Sequence, residues 1–144
     1  MLVQQILQSK PTQGVLTLAP TATLSEAAAL LSEKRIGAII ISKDGKHPLG
    51  ILSERDIVRE LGKRGVGCMS DGVESVMTSK LICCTKKDSA DGVMQIMTDG
   101  RFRHMPVMEG EEMTGLVSIG DVVKARLSEL AMEKDALEGM IKGF

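Results

Sequence analysis

Tryptophan and tyrosine are absent from this 144-residue chain, and phenylalanine occurs only at Phe102 and Phe144. A surface without aromatic platforms is poorly equipped to stack single-stranded bases. Neither charge sign is in excess: 18 Lys and Arg stand against 19 Asp and Glu, a formal net charge of -1. No overall field therefore draws the protein to nucleic acid or to an anionic membrane. Long hydrophobic runs are missing too, and nothing approaches the roughly 18 apolar residues of a membrane span. The opening MLVQQILQSK lacks the charged n-region and apolar stretch of a signal peptide. Cysteine occurs three times, at Cys68, Cys83 and Cys84, without C-x-x-C spacing or a neighbouring histidine. That argues against a disulfide framework or a zinc site and for a reducing cytoplasm. Neither Gly-Lys pair, at 45–46 or 62–63, is followed by Ser or Thr, so there is no Walker A loop. No Ser/His/Asp or paired-carboxylate constellation stands out, and no enzymatic activity is expected.

What is present is a duplication. Residues 17–41 (TLAPTATLSEAAALLSEKRIGAIII) align without a gap on residues 83–107 (CCTKKDSADGVMQIMTDGRFRHMPV) at an offset of 66. Thr23 falls on Ser89, Leu31 on Met97, Arg35 on Arg101 and Ile36 on Phe102. After a one-residue deletion, GILSERDIV (50–58) falls on GLVSIGDVV (115–123). A lead-in also recurs, VQQIL at 3–7 and VESVM at 73–77.

Each copy reads as β-α-β-β-α, an α/β (α+β) class. A short strand (about 15–18, or 81–84) precedes a capped helix with apolar residues at helical period. Thr23 and Glu26 have capping-box spacing there. A β-branched strand (37–41 or 104–107), a Gly-containing hairpin and a third strand follow, and the latter feeds a second helix at Ser53 or Ser118. One copy alone buries too little surface, so the two repeats, 1–66 and 67–144, are expected to pack about a pseudo-twofold axis with two clefts between them. The Gly-rich stretch 62–72 reads as an exposed linker. Beyond Val123, the residues Leu127, Leu130, Lys134, Leu137 and Ile141 predict an extended C-terminal helix suited to a dimer seam.

Taken together, VESVMT, IGAIII with its partner RFRHMPV, and the paired endings GILSERD and GLVSIGD resemble a CBS-domain pair, or Bateman module, over about residues 3–127. The family pattern closes each repeat with Gly-apolar-x-Ser/Thr-x-x-Asp, and both copies satisfy it. The resemblance implies a regulatory module whose clefts bind adenine-containing ligands, AMP, ADP, ATP and sometimes NAD(H) or S-adenosylmethionine, most often as a homodimer; adenine nucleotide or NAD(H) is the expectation for this chain. Without an attached enzyme in this chain, output would pass to a separate regulated protein. The alternative is a ligand-independent interaction module.

Ser-x-x-Asp at a helix start also has a purely structural explanation, a capping box. The two readings are compatible, because a helix N-terminus presents free N–H groups and a positive dipole end to phosphate, and a carboxylate accepts two ribose hydroxyls. Asp56 and Asp121 are thus candidates for ribose, and Ser53 and Ser118 for the neighbourhood of phosphate. The resemblance assigns Ile39 and Ile40, and Met105 and Pro106, to an adenine slot, with Thr17 and Cys83 at the base edge; ordinary core packing is the competing account of the apolar set. Arg55 in copy one, and Arg103 and His104 in copy two, are the cationic candidates, so the two sites are expected to be unequal. No metal is required. Cys83 and Cys84, adjacent on a strand, point to opposite faces and are not expected to act together.

Overall fold

A computed structural model describes residues 1–11 and 14–143. In chain order the elements are α1 (Val3–Ser9), β1 (Thr17–Leu18), α2 (Leu24–Lys34), β2 (Ala38–Ser42), β3 (Pro48–Ser53), α3 (Glu54–Arg64), α4 (Ala90–Gly100), β4 (His104–Glu109), β5 (Glu112–Ser118) and α5 (Ile119–Ile141). They form two compact bodies. One comprises residues 14–82 and 109–114; the other, among the described residues, comprises 1–11, 83–108 and 115–143.

In the first body β1 runs parallel to β2 and β2 antiparallel to β3, with Thr17 opposite Ile40 and Ala38 opposite Ser53. Every residue of β2 is buried, as expected of an unbroken apolar run covered on both faces. Thr23 caps α2, its Oγ1 accepting the Glu26 N–H at 3.1 Å. Leu24, Ala27 and Leu31 from α2 join Ile39, Ile41, Leu52 and Ile57 in the core. The stretch read as an exposed linker is instead partly built in. Helix α3 continues to Arg64, which pairs with Asp71, and Cys68 is buried in the same core.

In the second body Val93 and Met97 of α4 pack with Met105 and Val107 of β4, Val117 of β5 and Val122 of α5. Ile96, which the helical spacing sets beside Val93 and Met97, is exposed instead. The strand predicted at 81–84 is reduced to one parallel bridge, Cys84 to Val107. The Cys84 N–H reaches the Pro106 carbonyl at 3.0 Å, and the Met108 N–H reaches the Cys84 carbonyl at 2.8 Å. The next rung would require an N–H from residue 106, and proline has none.

Two features recur at matching positions without a sequence signal. Helices α2 and α4 end on Arg35 (φ 54°) and Arg101 (φ 56°) in the left-handed region, where glycine is the usual occupant. More consequential is where the lead-ins go. Helix α1 belongs to the body of the second repeat: the Val3 N–H donates to the Asp88 carbonyl at 2.9 Å and the Ala90 N–H to the Met1 carbonyl at 2.8 Å. The lead-in at 73–77 mirrors this on the first repeat, with Val73 N–H to Ala22 carbonyl at 2.8 Å and Leu24 N–H to Asp71 carbonyl at 2.9 Å. Each lead-in closes over the glycine that opens the other repeat's Gly-apolar-x-Ser. A Cβ at Gly50 would lie 2.5 Å from Met77 Sδ and 3.0 Å from the Thr78 carbonyl oxygen, and one at Gly115 would lie 2.8 Å from both Leu7 methyl carbons.

The two glycines should therefore respond unequally. At Gly115 only the flexible end of Leu7 must give way. At Gly50 the obstacle includes a backbone carbonyl held by the Ile51 N–H at 2.9 Å. With overpacking costing ~1–3 kcal/mol, Gly50→Ala is predicted to fall at the upper end and Gly115→Ala at the lower, read from urea midpoints. Equal losses would show that the Thr78 backbone yields freely.

Candidate functional site

The Ser-x-x-Asp segments sit where a sheet strand turns directly into a helix. Ser53 ends β3 and caps α3: its Oγ accepts the Asp56 N–H at 3.2 Å, while Asp56 Oδ2 accepts the Ser53 N–H at 2.9 Å. Ser118 ends β5 and caps α5 in the same way, with 3.1 Å to the Asp121 N–H and 2.9 Å from the Ser118 N–H to Asp121 Oδ2. Both structural capping boxes are thus real. Each carboxylate has about four lone-pair positions, so one cap bond does not exhaust it.

The surroundings differ. Asp56 Oδ1 also pairs with Arg59 at 3.0 Å, and the side chain is only 10% exposed. Asp121 Oδ2 meets Lys10 Nζ at 3.0 Å, and its side chain is 23% exposed. Lys10 additionally donates to the Leu116 carbonyl at 2.9 Å. In the first repeat the equivalent strand position, Ile51, is satisfied by the Thr78 backbone. Burial pushes the Asp121 carboxyl up, but the Ser118 N–H and the Lys10 ammonium outweigh it and hold it below the ordinary value.

The helix starts are tied back, at matching points, to the residue just before β2 and just before β4. The Glu54 N–H donates to the Gly37 carbonyl at 2.9 Å, and the Ile119 N–H to the Arg103 carbonyl at 2.8 Å. The second repeat therefore carries an exposed arginine and a neutral residue where the first carries glycine and a glutamate. A helix N-terminus with Arg103 at its mouth suits an anion better than one with Glu54.

Thr17, Ile39, Ile40, Ser53, Arg55 and Asp56 all lie in the first body; Cys83, Arg103, His104, Met105, Pro106, Ser118 and Asp121 all lie in the second. Each copy's candidates are thus kept together, with Arg55 in one body and Arg103 and His104 in the other. Ile39, Ile40 and Met105 are fully buried, and Ile39 and Met105 belong to the cores of their bodies. Cys83 is exposed while Cys84 is buried, as alternation requires. Burial, with Asp88 and Cys83 adding to it, pushes the Cys84 thiol up to about 12, and partial enclosure raises Cys83 as well. Neither is poised as a nucleophile. Among the described residues no group of His, Cys, Asp and Glu is arranged for a metal, and no helix is long and apolar enough to cross a membrane. A surface cavity of about 480 Å³ between α2 and α3 is lined by Leu31, Arg35, Ile57 and Val58 among others, and by none of the candidate residues. Sequence reasoning missed Lys10 and Arg59. Arg59 was findable by its i,i+3 spacing from Asp56 on a helix, whereas nothing local links Lys10 to Asp121.

Comparison with known proteins places these features. The family model described as CBS domain matches residues 3–63 and again 73–128. The chain is 37% identical over 125 residues to the mitochondrial CBS domain-containing protein CBSX3 of Arabidopsis thaliana, covering 84% of this chain but 61% of that protein's length. The crystal structure of the CBS-domain containing protein ATU1752 from Agrobacterium tumefaciens is similar at 38% identity with a TM-score of 0.83, covering 88% of this chain and 99% of that one. The CBS domain protein PAE2072 from Pyrobaculum aerophilum, solved in complex with AMP, is similar at 26% identity and a TM-score of 0.77, covering 92% of this chain and 99% of that one.

The lowered Asp121 value has a sign that is testable without ligand. A carboxyl whose folded pKa lies below its unfolded value of ~3.9 adds stability above that value and loses it as pH falls through the folded value. Because Asp121 and Lys10 are partly exposed, the contribution should be small, under ~1 kcal/mol. Lys10→Met should melt earlier than the parent at pH 6–7, with the gap narrowing below about pH 3 to the share carried by the Leu116 carbonyl bond. A gap that persists unchanged in acid would assign the whole loss to that bond and to packing of the lysine stem.

Proposed function

The chain belongs to the CBS-domain family, and from that premise we propose that it is a regulatory module that binds an adenine nucleotide, AMP, ADP or ATP, or NAD(H), and signals to a separate protein. The observation that carries this reading is the doubled Ser-x-x-Asp box, each copy placed at a helix N-terminus directly after a sheet strand. The AMP complex of the related PAE2072 protein supports the ligand class. In this reading residues 1–66 and 67–144 are two repeats of one module, working as a homodimer in the cytoplasm. Asp56 and Asp121 accept ribose hydroxyls, Ser53 and Ser118 stand near phosphate, and Arg55, Arg103 and His104 supply positive charge. Thr17, Ile39 and Ile40, and Cys83, Met105 and Pro106, supply the base pocket. The second repeat is the stronger phosphate site, because Arg103 stands where the first repeat has Gly37 and because Asp121 is the more exposed carboxylate. The completed capping boxes favour one rival reading, a ligand-independent interaction module in which Ser-x-x-Asp serves the helices alone.

Titration calorimetry separates the two readings. Arg103→Ala is expected to weaken AMP at least tenfold, since a charge-assisted hydrogen bond is worth ~1.5–3 kcal/mol, and to leave adenosine nearly unchanged. Equal losses for nucleotide and nucleoside would assign Arg103 to the fold. No detectable binding of AMP, ATP or NADH by the parent would favour the interaction module.

The carboxylates are tested at constant shape. Asp121→Asn retains an acceptor for the Ser118 N–H but turns one oxygen into a donor. AMP affinity should fall roughly tenfold or more. The 2′,3′-dideoxy analogue should bind the parent as weakly as AMP binds the variant, and lose little further against the variant. AMP affinity unchanged in both Asp56→Asn and Asp121→Asn would reduce the two residues to caps.

A further inference from the structure

Helix α5 outlasts the body it caps. Val122 and Ala125 are its buried residues. A different stripe, Val123, Leu127, Leu130, Lys134, Leu137 and Ile141, recurs at alternating spacings of four and three. Its apolar members are between 40% and 85% exposed. This is the a/d repeat of a two-helix seam, turned by roughly one residue, about 100°, from the buried face. The seam spans about 27 Å of helix, and nothing in its own body covers it.

We infer that the stripe is the contact between two copies of this chain, with their α5 helices paired antiparallel. The charges decide both the occupant and the direction. In an antiparallel pair centred near Met132, Val123 faces Ile141 of the second copy, Leu127 faces Leu137, and Leu130 faces Lys134, whose long stem covers the layer while its ammonium reaches solvent. On one flank Lys124 meets Glu138 of the second copy, and two-fold symmetry repeats the pair. On the other flank Arg126 meets Met140, and Glu133 meets its own counterpart, the single like-charge contact. A parallel, in-register pair would set Lys134 against Lys134 in one layer and Glu133 beside Glu138 on both flanks, which is self-repelling. The stripe is thus complementary to itself in one direction only. A single helix face lies at the low end of stable interfaces, and a lysine at a seam position fixes register at the cost of stability, so a micromolar dimer is expected. This inference rests on the homodimer reading above and locates its seam.

Sedimentation equilibrium on the full chain tests it, with circular dichroism verifying that each variant is folded. Lys124→Glu and Glu138→Lys should each raise the dimer dissociation constant about tenfold, by replacing two attractions with two repulsions. The double variant should return to within about twofold of the parent. Lys134→Leu should tighten the dimer. If the parent dimerises but neither single change matters, or the double change fails to rescue, the seam lies elsewhere and the dimer reading survives. A parent that stays monomeric at 100 μM and above overturns both.

Discussion

The structure depends on an exchange: each lead-in is bonded to the repeat it does not precede. Backbone hydrogen bonds hold Met1 and Val3 to Asp88 and Ala90, and Asp71 and Val73 to Ala22 and Leu24. Leu7 and Met77 then close over Gly115 and Gly50. Space for that closure exists only where the strand lacks a side chain, which gives the glycine of Gly-apolar-x-Ser-x-x-Asp a packing reason independent of any ligand. The pattern's other members follow along the same strand. Three residues beyond each glycine, Ser53 and Ser118 leave the sheet and cap a helix. The covered glycine and the capped helix are consecutive parts of one corner.

The two corners keep the same backbone and differ in charge. Both helix starts are stitched by one N–H to the residue that leads into the repeat's middle strand, both carboxylates reach back to their serine, and both earlier helices end on a left-handed arginine. Against that constancy, Gly37 and Glu54 are replaced by Arg103 and Ile119, and a backbone rung at Thr78 is replaced by the Lys10 ammonium, which ties Leu116 to Asp121. Charge is the cheapest property for a duplicated unit to vary, because exposed side chains change without disturbing the core. The divergence sets Arg103 beside one helix N-terminus and the adjacent Glu54 and Arg55 at the other, where the dipole makes the difference count.

Much of this was legible because it is local. The stripe of Ala27 and Leu31, the alternation that buries Cys84 and exposes Cys83, and the capping boxes at Ser53 and Ser118 are all decided within a few residues. The missing rung at Pro106 was legible in principle, since a proline inside a predicted strand pair removes one donor. The arginine-terminated helices were not, because the glycine that normally marks such an end is absent and tertiary packing enforces the turn. The partner of each lead-in was also hidden. VQQIL and VESVM carry the same apolar spacing, so either could close over either glycine, and only the assembled chain chooses. Lys10 was lost with them, being carried to Asp121 by the lead-in's placement.

The exchange also orders events during synthesis. Residues 14–82 hold nearly all of the first body in one continuous stretch, lacking only the hairpin tip whose Met113 N–H bonds to the Lys46 carbonyl. That body can condense while the rest of the chain is still being made. Helix α1 is made ahead of the first body, yet its docking surface, from Asp88 to Leu116, is made only after residues 14–82. Val3 and Ile6, fully buried at the end, must wait without their final partners until that surface has been made. A segment made ahead of the first body thus finds its place only after that body is complete.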